Sequence, residues 1–174
     1  MTSTSIRSPK ALRLGAVAAI ALCAAASPAY ADDTTSTLGV SATVTANCAV
    51  TTSPIAFGNI DVTTSANVDG TGGISVTCTN GTAWTATADA GTGSGATLAV
   101  RKLTSGSDLL NYALYTDSGH TTAWGDGVGG TTATITDTGT GTTQSKTIYG
   151  RVPTGQTGAP AGSYSDSVTV TVTY

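Results

Sequence analysis

The sequence predicts an all-β protein, a sandwich of short antiparallel strands, and three observations support this. Thr, Gly, Val, Ala and Ser dominate residues 32–174, and good helix formers other than Ala are scarce. Thr and Val favour pleated strands, whereas Gly, Asp, Asn and Ser favour turns. Segments of alternating apolar and polar residues recur between Gly-rich clusters. Regularly spaced strands and turns of this kind are typical of a β-sandwich.

The N-terminus has the three parts of a secretory signal peptide. Residues 1–13 are basic and contain no acid, and residues 14–26 form a short apolar run. The motif Ala29-Tyr30-Ala31 then offers a small-x-small cleavage site. We therefore predict a signal peptide over residues 1–31 and export of residues 32–174.

Charge argues against two classes of partner. After the signal peptide, four basic residues remain against ten aspartates, a net charge of about −6. Nucleic-acid binding is not expected, because phosphate contacts need a basic patch. Stable membrane insertion is not expected either, since no second apolar run is long enough to span a bilayer.

Two cysteines remain in the exported part, Cys48 and Cys78. An even pair in an oxidising compartment predicts a disulfide, which should stabilise the fold by roughly 3–4 kcal/mol. These cysteines and the single His120 lack metal-ligand spacing, so no metal or cofactor is expected. His120 with Asp117 and Asp126 lacks a nucleophile and an ordered triad, so no catalytic residue and no enzyme activity are expected.

The first strand pattern is the strictest one. Over residues 37–46 polar residues alternate with Leu38, Val40, Ala42, Val44 and Ala46, which predicts a strand with one buried face. An edge strand entered through a proline is predicted over residues 53–61, followed by a turn at residues 70–73.

The middle of the chain suggests hairpins. Ile74, Val76 and Cys78 alternate on one strand, and Trp84, Ala86 and Ala88 alternate on the next. A three-residue loop with a left-handed Gly81 would keep both apolar sets on one face, so we predict a bulged hairpin. Strands are also predicted over residues 98–103, 110–114 and 146–152, with a hairpin over residues 129–143.

The last strand pattern lies within residues 163–174, where Val168, Val170, Val172 and Tyr174 share a face. We expect an uncovered apolar edge there, because the pattern runs to Tyr174 and a partner hairpin would ordinarily follow. Residues 37–46 could pair with this edge in another copy, giving a head-to-tail contact and a fibre. They could equally fold back on their own domain, and the pattern leaves both arrangements open.

Several segments together resemble the spore coat protein U domain of archaic chaperone-usher pili. They are Cys48 with Phe57-Gly58, then residues 74–81, 110–117, 124–127, 149–153 and 161–174.

The resemblance implies an incomplete immunoglobulin-like β-sandwich over residues 48–174, preceded by a donor strand segment over residues 32–47. It implies that Leu38, Val40, Ala42 and Val44 are donor plugs and that Val168, Val170, Val172 and Tyr174 edge an acceptor groove. The implied partners are other subunits, a periplasmic chaperone and an outer-membrane usher. The implied function is a rod or adaptor subunit of a surface pilus for attachment and biofilm formation. The alternative is a secreted, spore-coat-like structural or binding module with a self-complete fold.

Overall fold

The computed structural model describes residues 29–174, and the predicted signal peptide lies largely outside them. Residues 42–174 form one compact unit, and the described residues before them are not part of it. Residues 29–47 form no strand and are exposed. The strand predicted over residues 37–46 is therefore not formed in the single chain, because a strand needs a hydrogen-bonded neighbour.

Eight strands form the compact unit. They are β1 (Cys48–Ser53), β2 (Val68–Cys78), β3 (Ala83–Ala88), β4 (Arg101–Ser105), β5 (Asp108–Tyr115), β6 (Ile135–Thr138), β7 (Thr143–Val152) and β8 (Val170–Thr173). A single 3₁₀ turn, Val128–Gly130, is the only helical element among the described residues.

The strands form two antiparallel sheets, which confirms the predicted all-β sandwich. The larger sheet has five strands in the order β1-β2-β7-β5-β4, and the smaller sheet has three in the order β6-β3-β8. Alternating residues of both sheets point into one core. Its main members are Ile74, Val76, Cys78, Trp84, Ala86, Ala88, Leu110, Tyr112, Leu114, Trp124, Ile148 and Val152.

The predicted hairpin between β2 and β3 is wrong, because these strands belong to different sheets. Gly81 does adopt the left-handed conformation, with φ of 81°. Its amide, however, donates to the carbonyl of Gly139, and the Thr82 amide donates to that of Thr79. The turn therefore carries the chain across the sandwich, and both apolar sets face the core from opposite sides.

Three further strand predictions are corrected. The expected edge strand over residues 53–61 is not formed. Strand β1 ends at Ser53, because Pro54 cannot donate to a ladder. Residues 70–73 are not a turn but lie inside β2. The hairpin over residues 129–143 is also wrong, since β6 pairs with β3 whereas β7 pairs with β2 and β5.

The disulfide between Cys48 and Cys78 is present. These residues are also Cα partners at one end of the ladder between β1 and β2. The covalent link therefore fixes the register of the edge strand β1.

We expect the double substitution Cys48→Ala and Cys78→Ala to lower the free energy of unfolding by about 3–4 kcal/mol. The reason is the lost constraint on a loop closed across a sequence separation of 30. Urea denaturation of the exported chain measures this. A reductant should destabilise the native chain similarly and leave the double variant unchanged; equal stability of both chains would contradict the prediction.

Candidate functional site

Strands β1 and β8 are edge strands, and residues of both border one cleft. Among the described residues, β1 pairs only with β2, and β8 pairs only with β3. Each strand therefore leaves a row of backbone amides and carbonyls without a ladder partner, as an edge strand does. A further strand could pair along either edge.

Two side-chain contacts link the middle strand of the larger sheet to the smaller sheet. Lys146 of β7 forms an ion pair with Asp137 of β6, with Nζ and Oδ2 2.7 Å apart. The Trp84 indole of β3 also donates to the side-chain oxygen of Gln144 in β7 at 3.4 Å. These contacts hold β6 and β3 against the larger sheet.

The inner face of β1 has no cover. Val50 lies opposite Val76, and Thr52 lies opposite Ile74, so these side chains point to the core side of the sheet. Val76 and Ile74 are at most 2% exposed, whereas Val50 is 36% exposed. The core therefore continues beneath β2 but is left open beneath β1.

An apolar cleft of about 300 Å³ lies beside this edge. Its floor includes Ile74, Trp124 and Ile148, and Val168 and Val170 lie along it. A second cleft of about 820 Å³ lies around residues 55–62 and 159–166. We call the first one the groove.

The predicted acceptor residues have unequal positions. Val170 and Val172 pair with Ala88 and Ala86, so their half-buried side chains face the core. Val168 and Val170 line the groove, whereas Val172 and Tyr174 do not. Tyr174 is 55% exposed, and its hydroxyl lies 3.4 Å from Oδ1 of Asn47. That contact joins the C-terminal end of β8 to the segment before β1, next to the disulfide.

The predicted donor residues are free of the core. Leu38, Val40 and Val44 are 89%, 87% and 83% exposed, and Ala42 is exposed as well. The chain is attached just after them, because the amide of Asn47 donates to Oγ1 of Thr79 at 3.1 Å. The Thr79 amide returns a hydrogen bond to the Asn47 carbonyl at 2.9 Å.

A buried arginine that the sequence analysis missed supports the floor of the groove. The guanidinium of Arg101 is fully buried and donates to the carbonyls of Asp89, Leu98 and Trp124, each at 2.9 Å. Burial lowers the pKa of Arg101, and the nearby Tyr112 and carboxylates oppose that shift. Three irregular segments are thereby held together behind Trp124.

A second polar cluster lies at the other end of the groove from Tyr174. Asp166 accepts hydrogen bonds from the Tyr112 hydroxyl at 2.7 Å and from the amide and hydroxyl of Thr92 at 2.8 Å. Burial and the contact with Asp166 raise the pKa of Tyr112 well above its usual range. We call this end, at Asp166, the mouth of the groove.

The sequence analysis also missed the role of Ile55 and Phe57. Both side chains are half-buried on the inner face of the larger sheet and line both clefts. The available signal is the spacing of Gly70 and Gly72, which lie inside β2 and not in the predicted turn.

His120 lies on the outer face, away from the groove. Its ring packs between Tyr115 and Tyr149, with centroids 5.1 and 6.1 Å away, and its Nε2 lies 3.7 Å from Asp69. Within residues 29–174 no group of three or more His, Cys, Asp or Glu side chains could hold a metal ion. No helix in this part of the chain is long and apolar enough to cross a membrane.

This site defines a class, that of β-sandwich proteins with an uncovered apolar groove between two edge strands. The chain belongs to the Spore Coat Protein U domain family, whose model matches residues 34–171. It is 34% identical over 176 residues to Protein U of Myxococcus xanthus, an alignment covering 92% of this chain and 96% of that protein.

The fold is also similar to a solved structure. It is a chain of the CsuC-CsuE chaperone-tip adhesion subunit pre-assembly complex from archaic chaperone-usher Csu pili of Acinetobacter baumannii. The TM-score is 0.50 at 20% identity, over 76% of this chain and 41% of that chain. The chain thus spans less than half of that neighbour and shares its immunoglobulin-like sandwich fold.

We expect Arg101→Met to lower the free energy of unfolding by roughly 3 kcal/mol, because one buried and two partly buried carbonyls lose their donor. Arg101→Lys should cost less, since an ammonium can still serve part of this set. Urea denaturation of both variants measures the difference. Wild-type stability of Arg101→Met would show that the buried guanidinium is dispensable.

A pH-dependent loop precedes Trp124. The Thr121 and Thr122 amides donate to Asp117 and lower its pKa to about 2. A lowered folded-state pKa means that this contribution is present above the unfolded value near 3.8 and is lost as the pH falls through about 2. Carboxyl NMR titration should give Asp117 a pKa near 2, and Asp117→Asn should lack this transition; a value near 4 would contradict the assignment.

Proposed function

We propose that this protein is a rod or adaptor subunit of a surface pilus and that it polymerises by donor-strand complementation. One observation carries the proposal: two unpaired strand edges flank an apolar groove, while an alternating segment of the same chain is exposed. In this proposal Leu38, Val40, Ala42 and Val44 of one subunit fill the groove of the next. Val168, Val170, Val172 and Tyr174 edge that groove.

The size of the effect is sufficient for assembly. Leu38, Val40 and Val44 are each more than four-fifths exposed, and burial of each would contribute about 1.5–3 kcal/mol. The sum, roughly 4.5–9 kcal/mol, is comparable with the stability of a small domain. Backbone hydrogen bonds to β8 or β1 would add to it.

The attachment points suggest a direction for the inserted strand. At the C-terminal end of β8, Tyr174 contacts Asn47, and Thr79 holds the subunit's own residues 45–47 there. We therefore infer that a neighbouring subunit sits at the other end, the mouth. Its Val44 stays near the mouth and its Leu38 reaches deeper, so the donor runs antiparallel to β8.

The remaining parts of the proposal follow from the family and the fold. A subunit with an uncovered groove needs a temporary partner, and we infer a periplasmic chaperone and an outer-membrane usher for it. Support comes from the fold shared with a chain of a chaperone-usher pilus complex. Export would use the signal peptide at residues 1–31, and the assembled pilus would lie at the cell surface and serve attachment and biofilm formation.

A second candidate is a secreted, spore-coat-like structural module. It is favoured by the near full-length similarity to Protein U and by the family's description. In such a module residues 37–46 would pair within their own domain, and the protein would be a stable monomer without a chaperone.

We expect Val40→Asp to abolish fibres, because a carboxylate would be buried without a partner in the groove. Thr43→Asp is the matched control, since it places the same charge on the polar face of the same segment. Electron microscopy of cells that produce each variant with the chaperone and usher measures the outcome. Normal fibres from Val40→Asp would refute the proposal.

Removal of residues 32–46 separates the two candidate functions. A pilus subunit without this segment should show a thermal midpoint that rises by several degrees when a peptide of residues 35–46 is added. A self-complete module should instead lose stability when the segment is removed, or remain monomeric and unaffected by the peptide. Differential scanning fluorimetry with a scrambled peptide as control measures this.

A further inference from the structure

The inner face of the larger sheet contains a row without side chains. Gly70 and Gly72 in β2 and Gly150 in β7 lie on the same face as Ile74, and Gly70 is the Cα partner of Gly150. Glycine weakens a strand, so its presence on a core face indicates the close approach of another group. We call these three residues the glycine trough.

The group that fills the trough is the segment after β1. A Cβ atom at Gly70 would lie 3.0 Å from Cγ2 of Ile55, and one at Gly150 would lie 2.9 Å from Cζ of Phe57. At Gly72 it would lie 2.6 Å from both Ile55 and the Ser53 carbonyl oxygen. A side chain at Gly70 or Gly150 would therefore push against Ile55 or Phe57, whereas one at Gly72 would also meet backbone.

Phe57 extends from the trough to the mouth of the groove. Its ring packs edge-on against Tyr112, with centroids 6.1 Å apart, and the Tyr112 hydroxyl donates to Asp166. Ile55 and Phe57 line the groove on one side and the larger cleft on the other. They thus form a partition between the two clefts.

We propose that Ile55 and Phe57 form a fixed wall that sets the depth to which the donor strand enters, and that Phe57 contacts Val44 of the incoming subunit. This inference rests on the proposed function. Val44 lies three residues, about 10 Å, before Asn47, which is bound to Thr79 of its own domain. It therefore stays at the mouth, whereas Leu38 lies about 20 Å farther along.

A double-mutant cycle tests the contact. The acceptor is the full exported chain carrying Val40→Asp, which keeps its own segment out of other grooves, and the probe is a peptide of residues 35–46. Phe57→Ala in the acceptor and Val44→Ala in the peptide should each weaken binding about tenfold. Because they remove the same contact, the two changes together should weaken it little more than either one. When Phe57→Ala is combined with a Leu38→Ala peptide, the two losses of affinity should instead multiply.

The glycine trough provides a second variant that leaves Phe57 itself unchanged. Gly150→Ala should displace the ring and weaken peptide binding about tenfold, whereas Gly158→Ala, which has open space around it, should not. If Phe57→Ala does not fold, Phe57→Leu takes its place in the cycle. Fluorescence anisotropy of the labelled peptide measures all the affinities.

The possible outcomes separate the wall from the proposed function. Additive effects of Phe57→Ala and Val44→Ala, with the wild-type peptide still bound, would refute the proposed wall. The proposal of donor-strand complementation would then still stand. Tighter binding to the Phe57→Ala acceptor would also refute it, because the ring would then be a plug that the strand displaces. Failure of the wild-type peptide to bind the unaltered groove would refute both proposals.

Discussion

The site depends on an imbalance between the two sheets. Five strands face three, so part of the larger sheet's apolar inner face has no sheet opposite it. Apolar surface and unpaired backbone groups both need cover, and the chain provides it unevenly. Lys146 and Asp137 link β7 to β6, and Ile55 and Phe57 cover the glycine trough. The groove bordered by β1 and β8 has no strand over it.

Hydrogen bonds from Arg101 hold the floor of the groove in place where no strand does so. The carbonyls of Asp89, Leu98 and Trp124 belong to segments without a ladder, and a buried carbonyl needs a donor. Arginine suits this position because one planar guanidinium offers five donors. A floor fixed in this way is preorganised for an incoming strand, and preorganisation lowers the entropic cost of binding.

The sequence was sufficient for local patterns and insufficient for the assignment of strands to sheets. Alternation identified the inward-facing residues of β2 and β3, and the cysteine pair identified the disulfide. It did not reveal that the turn at Gly81 crosses the sandwich, because a hairpin and a crossing turn present the same inward residues. Gly70 and Gly72 were misjudged for a related reason: glycine in a strand is explained only by Ile55, a residue distant in sequence. The burial of Arg101 had no local signal at all.

The geometry also bears on whether the donor segment pairs in its own domain or in another. Asn47 is held beside Tyr174 at the C-terminal end of β8, so a segment folding back would enter there and run toward Val168 from residue 44 to residue 38. Its chain direction would then be parallel to β8. A segment from a neighbour at the mouth enters beside Val168 and is antiparallel. All the strand pairs described in this fold are antiparallel, and that arrangement is the more stable per residue. The proposed pairing between chains is therefore the arrangement that agrees with the rest of the sandwich, and because its two surfaces differ, repetition of it would extend a fibre without closing it.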